Sequence, residues 1–321
     1  MGTMNLKKWA LVLFSSCLLT GPAWSQDYPP AMAYEQMPDF INLDQNGQLY
    51  FGRKLLSMLV YVPQRDVETR IDIVDAEGNI LSSKERVHKY KNGQALGEID
   101  TWVTACASGQ CVDGPSKVAL KPGVYWIVFS EKGKVFSAEW FEVRSYGQGE
   151  GRFAKGQKSY VILPHDNMAK LYFTDGGKGS LVADLGLSAG AEVGDQSTVV
   201  KKMSLSLKRN GQLVAKSVGN TPQPQNIYAY TTMITAPLVD PKSNAGLKAS
   251  DLKDGKYELD VNLDGKSVRR YAFEVKGGKV VYQGRQQEST QPPERMVVSE
   301  KDYWLWNTYA KEPNHVLPKL K

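Results

Sequence analysis

Residues 120–143 and 252–275 are two copies of one segment, and nothing else in the chain limits its fold as tightly. LKPGVYWIVFSEKGKVFSAEWFEV returns as LKDGKYELDVNLDGKSVRRYAFEV at a constant offset of 132 without a gap, so Leu-Lys, Gly-x-Tyr, Gly-Lys and Phe-Glu-Val stay in step. Each copy places strand-forming residues on either side of its second glycine, the pattern of a β-hairpin. Upstream, Arg70 to Gly78 is echoed by Lys202 to Gly211 with one residue inserted, so the duplication extends beyond the hairpin. Two copies make a tandem pair, not a solenoid.

A chain of 321 residues has room for two cores of about 120 residues each. Its 29 glycines, 10% aromatics and lack of long 3.6-residue stripes favour an all-β fold. The expected organisation is a segment 1–25 outside the fold, a first β-sandwich at 26–146, a linker at 147–152, a second β-sandwich at 153–286, and a Pro-containing linker with an aromatic tail at 287–321. Asn46-Gly47 predicts a tight turn between two short strands, and the apolar run Leu55 to Val62 predicts a central strand. Ser159 to Leu163 is expected to open the second sandwich. The basic run Lys84, Arg86, His88, Lys89 and Lys91 reads as a polar edge strand or loop, which discourages strand-to-strand aggregation; a ligand patch is the rival reading.

Leu120-x-x-Gly123-x-Tyr125 and Leu252-x-x-Gly255-x-Tyr257 resemble the entry to the penultimate strand of bacterial immunoglobulin-like or fibronectin-like modules. The resemblance covers mainly the two repeated stretches. It implies two tandem Ig-like antiparallel β-sandwiches, with Tyr125 and Tyr257 as tyrosine corners whose rings pack inward while their hydroxyls tie back to backbone. It implies a scaffold and says little about chemistry.

The N-terminus reads as a secretory signal peptide: Lys7 and Lys8, the apolar core Trp9 to Leu19, then small residues at Ala23 and Ser25 before a cleavage point at Gln26. The apolar run is too short for a stable membrane span. Phe14-Ser15-Ser16-Cys17 is similar to a lipobox, which makes lipidation at Cys17 a second possibility. Loss of Lys7 and Lys8 lowers the net charge from +6 to +4. Lys and Arg are interspersed with acids, so nucleic acid is not indicated as a partner. Cys106 and Cys111 then remain as two thiols in an exported chain, expected to form a disulfide around a small loop. The alternative, a two-ligand metal site, lacks a nearby histidine.

Catalytic patterns are sparse. His88, His165 and His315 show no metal-ligand spacing, and His165-Asp166 reads as part of a solvated turn. No Gly-x-Ser-x-Gly elbow occurs. Gly265-Lys266-Ser267 is similar to the end of a phosphate loop, but Asp260 stands where that loop needs glycine. No cofactor is indicated, and paired carboxylates for glycan hydrolysis stay open because their spacing is set in space.

Tryptophan distribution is the best positive clue. Trp102, Trp126 and Trp140 fall in the first expected sandwich, none in the second, and Trp304 and Trp306 in the tail. If the first hairpin copies the second, Trp126 and Trp140 sit opposite each other on the outer face, where the second copy has Glu258 and Ala272. An outward pair could stack against a polysaccharide or a protein. A one-residue slip would instead bury Trp140, or the other domain or the C-terminal tail would cover the outer pair; the tail aromatics dock either on this chain or on a partner. The expectation is therefore a non-enzymatic, exported binding or assembly module of the bacterial cell envelope or surface, meeting a protein partner there. The alternatives are a carbohydrate-binding module using Trp126 and Trp140, and a glycan hydrolase with dispersed carboxylates.

Overall fold

The structure is a computed structural model that describes residues 31–32, 41–43, 48–51, 59–61, 66–88, 106–107, 110–111, 118–146, 156, 158–174, 178–194, 196–219, 221–281, 302–311 and 315–321. The segment 1–25 with Cys17, Trp102, the linker 147–152 and residues 287–301 lie outside them, as do the side chains of Cys106, Cys111 and Trp304. Strands β1 (Ala31–Met32), β2 (Ile41–Leu43), β3 (Gln48–Phe51), β4 (Leu59–Tyr61), β5 (Val67–Val74), β6 (Ile80–His88), β7 (Cys106–Ala107), β8 (Gln110–Cys111), β9 (Val118–Ala119), β10 (Gly123–Glu131) and β11 (Lys134–Tyr146) make up the first part. They are followed by β12 (Lys158–Ile162), β13 (Met168–Phe173), β14 (Leu181–Leu187), β15 (Thr198–Arg209), β16 (Gln212–Ser217), β17 (Gln223–Tyr228), β18 (Thr232–Val239), β19 (Gly255–Leu263), β20 (Lys266–Lys276), β21 (Lys279–Val281) and β22 (Asp302–Trp306). The protein is all-β.

A five-stranded sheet runs β12-β11-β10-β5-β6 and faces a smaller sheet, β2-β3-β9. Ile71, Ile73, Ile127, Phe129 and Phe141 from the first pack against Ile41, Leu49 and Val118 from the second. The ten-stranded sheet runs β21-β20-β19-β15-β16-β18-β14-β13-β22, with β17 paired to β15. Leu171, Leu185, Leu207, Leu259, Tyr271 and Leu305 meet in one core although they span nearly the whole of that order. The sheet therefore folds over on itself, and an Asn307–Tyr271 bridge joins the residue after β22 to β20. This sandwich-like arrangement satisfies backbone groups along the ladders while each strand turns its apolar face inward.

The repeated hairpins pair in equivalent registers. Tyr125 pairs with Phe141 and Tyr257 with Phe273, and a bulge falls after Phe129 in one copy and after Val261 in the other. Both turns use left-handed residues, Lys132 and Gly133 against Asp264 and Gly265. The Tyr125 hydroxyl donates to the Lys121 carbonyl at 2.7 Å, and the Tyr257 hydroxyl to that of Lys253 at 2.7 Å.

Two sequence expectations change here. Among the described residues, 59–61 of the expected central strand pair with β1 in a two-stranded sheet, and the middle of the five-stranded sheet is β10, between β5 and β11. Strand β12 was expected to open the second sandwich. It instead extends the first sheet beside β11, and Val161 and Leu163 enter the first core.

Candidate functional site

The β10–β11 hairpin has two apolar faces. One carries Tyr125, Ile127, Phe129 and Phe141 into the sandwich core. On the other, Trp126 lies opposite Trp140 and Val128 opposite Ala138, and Val74 and Ile80 enlarge the patch. Of the two registers open to the sequence, the ladder has the one that turns both tryptophans away from the core.

They are nevertheless buried, Trp126 5% and Trp140 6% exposed. Residues 315–321 lie over them as a strap. Leu317 and Leu320 pack into the patch, and the His315 ring approaches Trp140 edgewise at 4.8 Å and Trp126 at 6.5 Å. Of the alternatives open to the sequence, cover by the C-terminal tail is the one found, and the pair is not an open stacking surface. The strap is anchored by the Lys321 N–H, which donates to the Gly78 carbonyl at 3.0 Å. Gly78 has a φ of +84°, and a Cβ there would run into the Lys319 carbonyl, so both the turn and the strap require glycine.

At the same four positions the second hairpin carries Glu258, Asp260, Arg270 and Ala272. Asp260 is buried, and it accepts from Arg270 Nε at 2.6 Å and Lys208 Nζ at 3.0 Å. Burial pushes its carboxyl up, but hydrogen bonds and charge from the two cations outweigh this and hold it below the usual carboxylate range. The Tyr309 ring lies 5.3 Å from the Arg270 guanidinium, a cation–π contact. One C-terminal segment thus meets both hairpins, a charged one through a phenol and an aromatic one through Leu and His.

The tail also supplies a strand. β22 pairs with β13, placing Trp306 opposite Met168 and Trp304 opposite Lys170, while Leu305 enters the core. Trp304 and Trp306 therefore belong to the ten-stranded sheet, and Trp126 and Trp140 to the five-stranded one. The four do not form a single strip.

Between β12 and β13 the chain makes a 3₁₀ turn, Pro164–Asn167. This is not the solvated turn expected from sequence: His165 is 0% exposed and Asp166 9%. Asp166 Oδ2 pairs with Arg269 Nη2 at 3.3 Å, and Arg269 Nε donates to the Asp166 carbonyl. Burial pushes the Asp166 carboxyl up, against the opposing pull of Arg269, Ser188 and Arg144. Thr231 joins the two sheets from both of its polar groups. Its N–H donates to the Val161 carbonyl at 3.0 Å, and its hydroxyl accepts from the Leu163 N–H at 3.0 Å. Gly186 lets this turn close, since a Cβ there would overlap the His165 carbonyl. A glycine inside the apolar strand Leu181–Leu187 was the sequence signal for such an approach. Enclosed in this way, His165 and Asp166 form part of the junction between the two sheets.

Cys106 and Cys111 are direct partners in the β7–β8 ladder. Among the described residues no three His, Cys, Asp or Glu side chains gather as a metal site, and no helix is long and apolar enough to cross a membrane. No family model, curated protein or solved structure matches the chain.

Proposed function

We propose that the chain is an exported, non-enzymatic binding or assembly module of the bacterial cell envelope or surface. The observation that carries this reading is the strapped aromatic face. Trp126, Val128, Ala138 and Trp140 form an apolar surface on the outside of a sheet, and its cover is a separate C-terminal segment rather than a third layer of the fold. Large apolar patches that become exposed mark interaction surfaces, and this face is one wherever the strap leaves it. The equivalent face of the second hairpin is charged, so the apolar character is not a requirement of the repeated scaffold.

The test is cross-linking in envelope fractions, with wild type compared with Leu317→Asp/Leu320→Asp, which frees the face. Reproducible capture of an envelope protein, increased in the variant, supports the reading. A protein that cross-links to nothing and turns over a glycan or peptide overturns it. Carbohydrate binding through Trp126 and Trp140 would require displacement of the strap. Its signature would be a glycan-induced tryptophan fluorescence change that grows in the strap variant.

A further inference from the structure

We infer that the C-terminal segment, residues 302–311 and 315–321, can occupy the same two docking sites on a second copy of this chain, so that copies assemble by exchanging it. The first site is the edge of β13, where β22 supplies a full ladder from Met168 to Tyr172. The second is the Trp126–Trp140 face with its anchor at Gly78. Both belong to parts of the chain remote in sequence from the segment that fills them.

The connector makes exchange geometrically available. Residues 282–301 separate β21 from β22 and carry Gln, Glu, Ser, Thr and Pro. Twenty residues reach roughly 70 Å when extended. A sandwich of about 130 residues is about 35–40 Å across, taking twice a radius of gyration near 14 Å with a margin for its surface. The segment is therefore tethered by enough chain to reach the same sites on a neighbouring copy.

Energetics favour a second copy over other occupants. A released segment leaves an unpaired strand edge at β13 and an apolar face holding two tryptophans. The partner that fits both sites at once is the identical segment, because every contact is reproduced and none is new. Closed and exchanged forms then make the same contacts and differ in which copy supplies the segment. Reciprocal exchange closes a two-fold dimer in which each face is completed by the partner copy's strap. The inference rests on the binding reading above for what exchange is used for, and it names the partner.

The test uses two full-length variants, Ala138→Glu in the face and Leu320→Lys in the strap, both positions bordering the same apolar cluster. Each alone mismatches its own strap and face. A reciprocal dimer of the two restores one native pairing and sets Glu against Lys in the other. Analytical ultracentrifugation of the mixture is expected to shift to twice the chain mass, while the Ala138→Glu/Leu320→Lys double variant stays at one chain mass. Folded variants that remain monomeric when mixed overturn the inference. If either variant does not fold, isotopically labelled and unlabelled wild type are mixed, warmed to the onset of melting, cooled and weighed by native mass spectrometry. Mixed-mass dimers support exchange, and monomers alone overturn it. Failure here with an envelope protein still captured removes only the second copy as partner.

Discussion

Trp140 and His315 meet edge to ring at 4.8 Å, although one lies in the first repeated hairpin and the other beyond the second. Together with Trp126 they define a contact that the five-stranded sheet does not make by itself. Its cover comes from the far end of the chain.

Removing the strap's apolar side chains should expose the tryptophans without unfolding the sandwich. Leu317→Ala/Leu320→Ala is expected to cost about 2 kcal/mol, since both side chains are only partly buried. Acrylamide quenching of Trp126 and Trp140 should rise. Trp126→Ala should cost more, about 3–5 kcal/mol, as a large buried ring is lost. Unchanged quenching in the leucine variant would mean that the strap does not cover the rings in solution.

Two glycines should act on different parts of the molecule. Gly186→Ala would force its Cβ into the His165 carbonyl, with an expected loss of about 1–3 kcal/mol in a urea melt. Gly78→Ala should loosen the strap while leaving the ten-stranded sheet intact. Amide exchange would then show lost protection confined to Lys321 and its neighbours.

Asp260 should support stability at neutral pH. Its folded pKa is depressed, so its contribution is present above the unfolded value of about 3.9 and is lost as pH falls through the folded one. Asp260→Asn should cost about 2 kcal/mol near neutrality and little in acid. Equal losses at both ends of a pH series of melts would refute the pairing with Arg270 and Lys208.

Asp166 has the opposite sign. Its folded pKa is raised, chiefly by burial, so its contribution is fully present below about pH 3.9 and is lost as pH rises through the folded value. The stability of Asp166→Asn relative to wild type should therefore improve from acid to neutral pH. A relative decline over that range would show that Arg269 outweighs burial.

Cys106 and Cys111, opposed in the β7–β8 ladder, should give a cross-strand disulfide in oxidised protein. Peptide mapping before and after reduction checks the bond. Cys106→Ser/Cys111→Ser should lower stability by about 2 kcal/mol, the modest value set by so short a loop.

Several features were legible in the residues because they are local. The duplicated segments are equivalent hairpins, and their tyrosine hydroxyls tie back to backbone four residues earlier. The pairing of Trp126 with Trp140 followed from copying one hairpin onto the other. Strands β2 and β3, on either side of Asn46-Gly47, pair antiparallel, while the turn itself lies outside the described residues. The edge position of β6 agrees with its basic residues.

Contacts between distant segments were not legible. Strand β12 has the composition of either sheet's edge, and only the open side of β11 assigned it to the first. His165 and Asp166 look like a polar turn until Gly186, Arg269 and Thr231 close around them. Sequence alone determined that the two copies are equivalent hairpins whose residues alternate between two faces, because alternation along a strand is set by the backbone; the ladder's register put Trp126 and Trp140 on the same face. Tertiary structure alone decided whether that face meets water, because the strap returns to it from the far end of the chain and burial depends on every segment that comes to lie there.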